Sequence, residues 1–170
     1  MLIRLSHVLN HYLFWLLLVI FGIGLEAVAF YYQYVLEDLP CVLCVHFRLV
    51  VAAMIIFAML GLFVRKSKWL SIIVILLLTA SFLLMAERAY QLLGVERGFI
   101  LGECSMASGL PSWFAVGEWV PWFFKVETTC GYTPIVAFGV TMAESLLVMS
   151  ILLVIFSLFM LWVKLKIRAS

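Results

Sequence analysis

Cys41 and Cys44 are the two residues of this sequence whose types and spacing most clearly indicate chemistry. Two thiols three positions apart can close a small ring, be oxidised and reduced reversibly, and exchange with other thiols. Pro40 precedes the pair, and an apolar run begins at Val45 directly after it. Arg48 lies one helical turn beyond Cys44 on the same face, where its positive charge would favour a thiolate. The pattern predicts a redox-active dithiol at the mouth of a membrane helix.

Two further cysteines, Cys104 and Cys130, bring the total to four, which permits three pairings. Proximity in the sequence favours Cys41–Cys44 and Cys104–Cys130. The second pair would close a loop of about 27 residues, worth roughly 3–4 kcal/mol in a chain-entropy estimate, so a purely structural bridge stays an alternative there. The small ring of the first pair saves little entropy, which favours redox use. No metal is expected, because a four-cysteine zinc site usually consists of two close-spaced pairs.

The composition indicates a membrane protein. Of the 170 residues, 67% are hydrophobic and 12% are charged, whereas a soluble domain is about half apolar and a quarter charged. No repeat is evident, so residues 1–170 are expected to form a single domain. The chain has no basic patch interleaved with aromatic residues, and nucleic acid is therefore not an expected partner.

Four apolar runs are long enough to cross about 30 Å of hydrocarbon, which takes roughly 20 residues. Helix is the form expected for them, because isolated strands would leave backbone groups unpaired in lipid. We therefore predict an all-α bundle of four transmembrane helices with outer loops at about 30–44 and 87–144. An aromatic stretch at 113–124 predicts a short interfacial helix in the second loop, and no segment indicates a strand. The four apolar runs that predict the transmembrane helices are residues 12–29, 45–64, 69–86 and 145–163.

The basic residues predict the orientation. Seven of the eleven flank the spans on one side, without an acidic residue among them, and by the positive-inside rule that side is cytoplasmic. Both termini are then cytoplasmic, and all four cysteines face the opposite compartment, where disulfides persist. The seven residues are Arg4, Arg65, Lys66, Lys68, Lys164, Lys166 and Arg168.

Two charged residues inside the spans have alternative explanations. Arg48 in a membrane helix indicates function by default, and the alternative is that its side chain extends to the lipid headgroups. Glu26 lies near the outer end of the first span. It is interpreted either as a functional group, which acts as a proton acceptor or an anchor to a neighbour, or as an interhelical hydrogen-bonding group close to the interface.

The motif Pro40-Cys41-x-Leu43-Cys44-x-x-x-Arg48 resembles that of the DsbB family of disulfide bond formation proteins. The resemblance extends over the chain through Leu25-Glu26, Gln33, the later pair Cys104 and Cys130, and Trp119-Val120-Pro121. It implies a four-helix enzyme of the bacterial inner membrane with its cysteines facing the periplasm. Such an enzyme reoxidises a DsbA-like periplasmic thiol oxidase and passes the electrons to a membrane quinone, either ubiquinone or menaquinone.

The resemblance also implies residue roles. The reduced partner attacks the Cys104–Cys130 disulfide at Cys104, and electrons then move to Cys41 and Cys44. Cys44 engages the quinone, and Arg48 stabilises the thiolate–quinone interaction. Two alternatives remain: a quinone-linked oxidase resembling the vitamin K epoxide reductase family, and a non-catalytic membrane protein whose outer loops are held by structural disulfides.

Overall fold

The computed structural model describes residues 11–100, 109–137 and 139–169, and Cys104 lies outside these ranges. Four long helices account for most of the described chain. They are α1 (Tyr12–Tyr34), α2 (Val42–Val64), α3 (Lys68–Glu96) and α6 (Met142–Ala169). All four are long and apolar enough to cross a membrane. The predicted four-helix membrane fold is confirmed.

The helices are longer than the apolar runs that predicted them. α1 continues from residue 29 to Tyr34, and α3 continues from residue 86 to Glu96. The predicted spans are therefore parts of longer helices, because hydropathy marks only the part of a helix that suits hydrocarbon. The extra turns carry polar and aromatic side chains on a backbone that keeps its helical hydrogen bonds. We call the chain between α3 and α6, residues 97–141, the second outer segment, after its predicted location. It is shorter than the loop of about 87–144 that the sequence predicts.

The long helices pack in the order α1, α2, α3, α6. Trp15 of α1 is fully buried against α2 at Gly61, where a Cβ atom would lie 2.0 Å from the indole ring. The core continues through Met54, Phe82 and Met85. Within the described residues, the α1 and α6 backbones do not pack directly, although the rings of Phe14 and Phe156 lie 6.3 Å apart. The two helices therefore meet through side chains only.

The described residues of the second outer segment, 97–100, 109–137 and 139–141, form short elements. A 3-10 turn (Ser112–Phe114) is followed by two single helical turns, α4 (Val116–Trp119) and α5 (Pro121–Phe124). That this aromatic stretch lies in the membrane interface stays a prediction. The strands β1 (Ile135–Ala137) and β2 (Val140–Thr141) form an antiparallel hairpin just before α6. The prediction of no strands was therefore wrong, since three residues in a loop are too few to show an alternating pattern.

Candidate functional site

Cys41 and Cys44 lie at the start of α2. Cys41 precedes the first helical residue, and its carbonyl oxygen accepts a hydrogen bond from the Val45 amide at 3.0 Å. Cys44 is in the first turn, so its side chain lies above that of Cys41 on one face. The two sulfur atoms are 3.0 Å apart. The spacing seen in the sequence thus brings the two thiols into direct contact.

Cys130 is held beside this pair by a backbone strap, which we define as residues 127–130. The amides of Glu127 and Thr128 both donate to the Pro40 carbonyl oxygen, at 3.0 and 3.4 Å. Thr128 also forms an isolated parallel bridge with Cys41. The strap brings the Cys130 thiol into a hydrogen bond with Cys41. The side chains of Cys41, Cys44 and Cys130 pack in one cluster.

Cys41 occupies the centre of this three-thiol cluster. Only 3% of its surface is exposed, whereas Cys44 and Cys130 are partly exposed. The hydrogen bond from Cys130 by itself lowers the pKa of Cys41. The hydrogen bond to Cys44, burial and the nearby Cys44 sulfur outweigh it and raise the pKa of Cys41 to about 12. Cys41 therefore keeps its proton at neutral pH.

Arg48 is buried and points into the protein, with 5% of its surface exposed. Its guanidinium donates to Gln33 Oε1 at 2.6 Å, to the Ala29 carbonyl at 2.8 Å and to the Phe123 carbonyl at 3.1 Å. It also lies 5.4 Å from the ring centre of Phe30. This geometry is the opposite of a side chain that extends to lipid headgroups.

The Arg48 guanidinium also has two neighbours that can take part in chemistry, Cys44 and Glu26. It is close enough to Cys44 and to Glu26 to interact with both electrostatically. It makes no hydrogen bond or ion pair with either of them among the described residues. Arg48 therefore supplies a fixed positive charge near the Cys44 sulfur, while its hydrogen bonds join α1 and α2 to the outer segment at α5.

A cavity of about 340 Å³ lies beside the thiols. Leu25 and Glu26 of α1 form one wall, Cys44 and Arg48 of α2 form a second, and Leu146 of α6 forms part of a third. Most of the lining is apolar. The cavity thus occupies the outer end of the space between α1 and α6, where their backbones do not pack directly within the described chain.

Glu26 is the unusual group in this wall. It is 8% exposed, and neither carboxyl oxygen has a hydrogen-bond partner among the described residues. The sequence pointed to this residue through its charge within an apolar span. Its place in the same cavity as Cys44 and Arg48 could be found only from the fold.

The sequence did not indicate the partners of Arg48. Gln33 is buried and supplies the shortest of the three contacts. The α5 contribution is a backbone carbonyl, that of Phe123, so no side-chain type could have signalled it. The adjacent Trp122 carbonyl accepts a hydrogen bond from the Tyr34 hydroxyl at 2.5 Å. These bonds hold α5 against the outer ends of α1 and α2.

Four apolar helices with three thiols together at one end define a membrane protein built for thiol–disulfide chemistry. Comparison with known proteins gives the family. The model described as "Disulfide bond formation protein DsbB" matches residues 11–160. This chain therefore belongs to the DsbB family.

Individual relatives agree with that assignment. "Disulfide bond formation protein B" of Shewanella sp. (strain W3-18-1) is 32% identical over 147 residues, covering 85% of this chain and 84% of the relative. "Disulfide bond formation protein B 2" of Pseudomonas aeruginosa (strain PAO1) is 31% identical over 159 residues, 92% of each chain. A Shewanella loihica protein with the first of these names is 29% identical over 135 residues, 79% of each chain.

Proposed function

We propose that this protein is a quinone-dependent thiol oxidase of the bacterial inner membrane. It reoxidises a DsbA-like periplasmic partner and passes the electrons through Cys104 and Cys130, and then Cys41 and Cys44, to a membrane quinone. Membership of the DsbB family supports the disulfide-forming activity. The observation that carries the electron path is the central position of Cys41, which contacts both Cys130 and Cys44.

The proposed path from the partner to Cys41 and Cys44 is a series of thiol–disulfide exchanges. The reduced partner attacks the Cys104–Cys130 disulfide at Cys104, and its second thiol then releases Cys104, so the partner leaves oxidised. The freed Cys130 thiolate attacks the Cys41 sulfur of a Cys41–Cys44 disulfide and expels Cys44 as a thiolate. Cys104 then closes the loop disulfide again by attacking Cys130, which leaves Cys41 and Cys44 as a dithiol. Two electrons and two protons have moved from the partner to that pair.

The cavity residues fit a quinone ring. An apolar enclosure with a few polar groups is typical of small-molecule sites, and this one brings Cys44, Arg48 and Glu26 to the same space. Cys44 and Arg48 would hold the ring, whose chemistry is to accept two electrons and two protons. The Arg48 charge favours the thiolate form of Cys44 and stabilises negative charge close to the guanidinium. In this low-dielectric position that charge acts more strongly than it would in water.

The orientation proposed from the basic residues suits both exchange partners. With both termini cytoplasmic, the three-thiol cluster faces the periplasm, where a soluble partner can reach the outer segment. The cavity lies beside α1 and α6 at the same end of the bundle. A lipid-soluble acceptor can then approach from the bilayer while the partner approaches from water.

One assay tests the electron path. The purified protein in lipid receives reduced DsbA and ubiquinone-1, and both quinone reduction and partner oxidation are followed. Wild-type protein should reduce quinone, and Cys44→Ser should reduce none. Cys104→Ser should lose the mixed disulfide with a DsbA variant that lacks its resolving cysteine. Quinone reduction that persists in Cys44→Ser would refute the path.

The same assay distinguishes the alternatives. A protein with merely structural disulfides would form no mixed disulfide at Cys104 and would reduce no quinone in the wild type. A quinone-linked oxidase with another partner would reduce quinone with a small dithiol as donor but not with DsbA.

A further inference from the structure

Glu26 is a buried carboxyl group that the proposed electron path does not use. It lies on the inner face of α1, one turn before Ala29 and two turns before Gln33, both of which bind Arg48. Its two oxygens are buried without a hydrogen-bond partner among the described residues, and they face the cavity that Cys44 also lines. A buried polar group in this state calls for an explanation.

The surroundings of Glu26 do not suit an ordinary structural carboxylate. The nearest cation, Arg48, directs its guanidinium hydrogens to three neutral oxygens rather than to Glu26. Two other titratable groups that line the cavity are the side chains of Cys41 and Cys44, at the start of α2. The α6 side contributes only the apolar Met142 and Leu146 among the described lining residues. A structural anchor would have found a donor, since an unpaired carboxylate in an apolar wall is costly.

The remaining titratable groups that line the cavity differ from Glu26 in their exposure. Tyr32 comes from α1, Glu37 and Asp38 from the first outer segment, and Tyr132 from the second. Glu37 and Tyr132 are exposed, and Asp38 and Tyr32 are partly exposed. These groups are in contact with solvent, whereas Glu26 is buried. Of the carboxyl groups that line the cavity, Glu26 is thus the buried one.

We propose that Glu26 is the proton donor of this cavity, delivering a proton from its carboxyl Oε–H to the oxygen of a bound quinone. The inference rests on the proposed function. Oxidation of the dithiol breaks the S–H bonds of Cys41 and Cys44 and forms one S–S bond. The two electrons and two protons released are the two electrons and two protons that convert a quinone to a hydroquinone. Glu26 gives its proton to one quinone oxygen and is reprotonated by one of the two protons that the thiols release. The second thiol proton goes to the other quinone oxygen, so Glu26 ends the step protonated as it began.

The test is the substitution Glu26→Gln, which keeps the size of the side chain and removes its ionisable proton. Glu87→Gln is the matched control, because Glu87 also lies near the outer end of a long helix but is exposed and does not line the cavity. General acid catalysis typically contributes 10²–10⁴-fold, so Glu26→Gln should lower kcat for ubiquinone-1 reduction by about 100-fold. The KM for the quinone and the rate of mixed-disulfide formation with DsbA should change by less than about threefold.

A second readout does not depend on turnover. Infrared spectra of the oxidised, quinone-free protein should contain the C=O band of a protonated carboxylic acid, which shifts on ¹³C labelling of glutamate. The band should persist in Glu87→Gln and vanish in Glu26→Gln. If Glu26→Gln fails to fold, the labelled wild-type protein still decides, because absence of the band means that no glutamic acid holds a proton there.

The outcomes separate the two proposals. If the wild-type protein reduces no quinone, the proposed function fails. If the wild-type protein is active and Glu26→Gln keeps its kcat, or raises only KM, then Glu26 is not the proton donor and this inference alone is overturned. Glu26→Asp serves as a conservative variant and should recover part of kcat, since it restores the acid in a shorter side chain.

Discussion

Arg48→Lys is the sharpest test of how the site is held together. Lysine keeps the charge but replaces a planar five-donor fork with a single ammonium. The guanidinium bonds to Gln33 Oε1, the Ala29 carbonyl and the Phe123 carbonyl lie in three directions, and an ammonium on a shorter reach cannot satisfy all of them. A hydrogen bond to a charged group is worth about 1.5–3 kcal/mol. Losing one such bond should therefore lower the free energy of unfolding by about 2 kcal/mol.

Arg48→Leu should cost more. It removes all three bonds and the contact with the Phe30 ring, and it leaves the Gln33 amide oxygen buried without its donor. A buried acceptor that is left without its donor typically costs about 1–3 kcal/mol, and Arg48→Leu leaves three acceptors in this state. Because α5 is tied to the helices partly through the Phe123 carbonyl, amide hydrogen exchange in residues 121–125 should accelerate in both variants.

Thermal unfolding in detergent, together with hydrogen exchange read by mass spectrometry, checks both magnitudes. Arg88→Lys is the control, since Arg88 makes a hydrogen bond with Gln91 within its own helix and should leave both readouts unchanged. Unaltered stability and unaltered exchange at residues 121–125 in Arg48→Leu would refute the view that Arg48 joins the helices to the outer segment. Arg48→Leu should also raise the quinone KM or slow turnover, since the charge near Cys44 is gone.

Two further predictions concern packing and thiol reactivity. Gly61→Ala should destabilise the bundle by about 1–3 kcal/mol in thermal unfolding, because its Cβ would lie 2.0 Å from the Trp15 ring. Gly24→Ala, with nothing within 4 Å, should not destabilise it, and equal losses in the two variants would contradict the packing described. For the reduced protein at pH 8, the rise in the pKa of Cys41 from 9.0 to about 12 leaves about 1,000-fold less thiolate. Its alkylation by iodoacetamide, read by mass spectrometry of the Cys41 peptide, should therefore be slower than in the unfolded chain by roughly 100- to 1,000-fold, and a similar rate in both states would count against this geometry.

The sequence predicted the helices well because membrane spans carry a strong signal. Each long helix needs an apolar run, and lipid leaves the backbone no alternative to helix in such a chain. The ends were harder, because α3 continues ten residues beyond its apolar run on ordinary helix-forming residues. The hairpin before α6 was missed because strands of three and two residues depend on their contacts rather than on a periodic pattern.

Only part of the candidate site could be predicted from the sequence, because some of its contacts are made by the backbone and leave no side-chain pattern. Cys44 and Arg48 lie on α2, and Cys41 directly precedes its first residue, so spacing alone places the three together. The approach of Cys130 depends on backbone bonds between the strap and Pro40, which no side-chain pattern indicates. The same is true of Arg48, whose carbonyl acceptors are 19 residues earlier in the chain and 75 residues later. Charge within an apolar span identified Glu26 as unusual, but only the folded chain gives it a cavity.

The hydrogen bonds of the strap place few restrictions on its amino-acid sequence. Its two hydrogen bonds run from the amides of Glu127 and Thr128 to the Pro40 carbonyl, so side chains take no part in them. Nearly any amino acid at positions 127 and 128 can supply the same amide, and proline is the one that cannot. The side chains at these two positions can therefore change while Cys130 stays beside Cys41. The contact between the two cysteines depends on main-chain atoms of the strap, so it should survive most substitutions there.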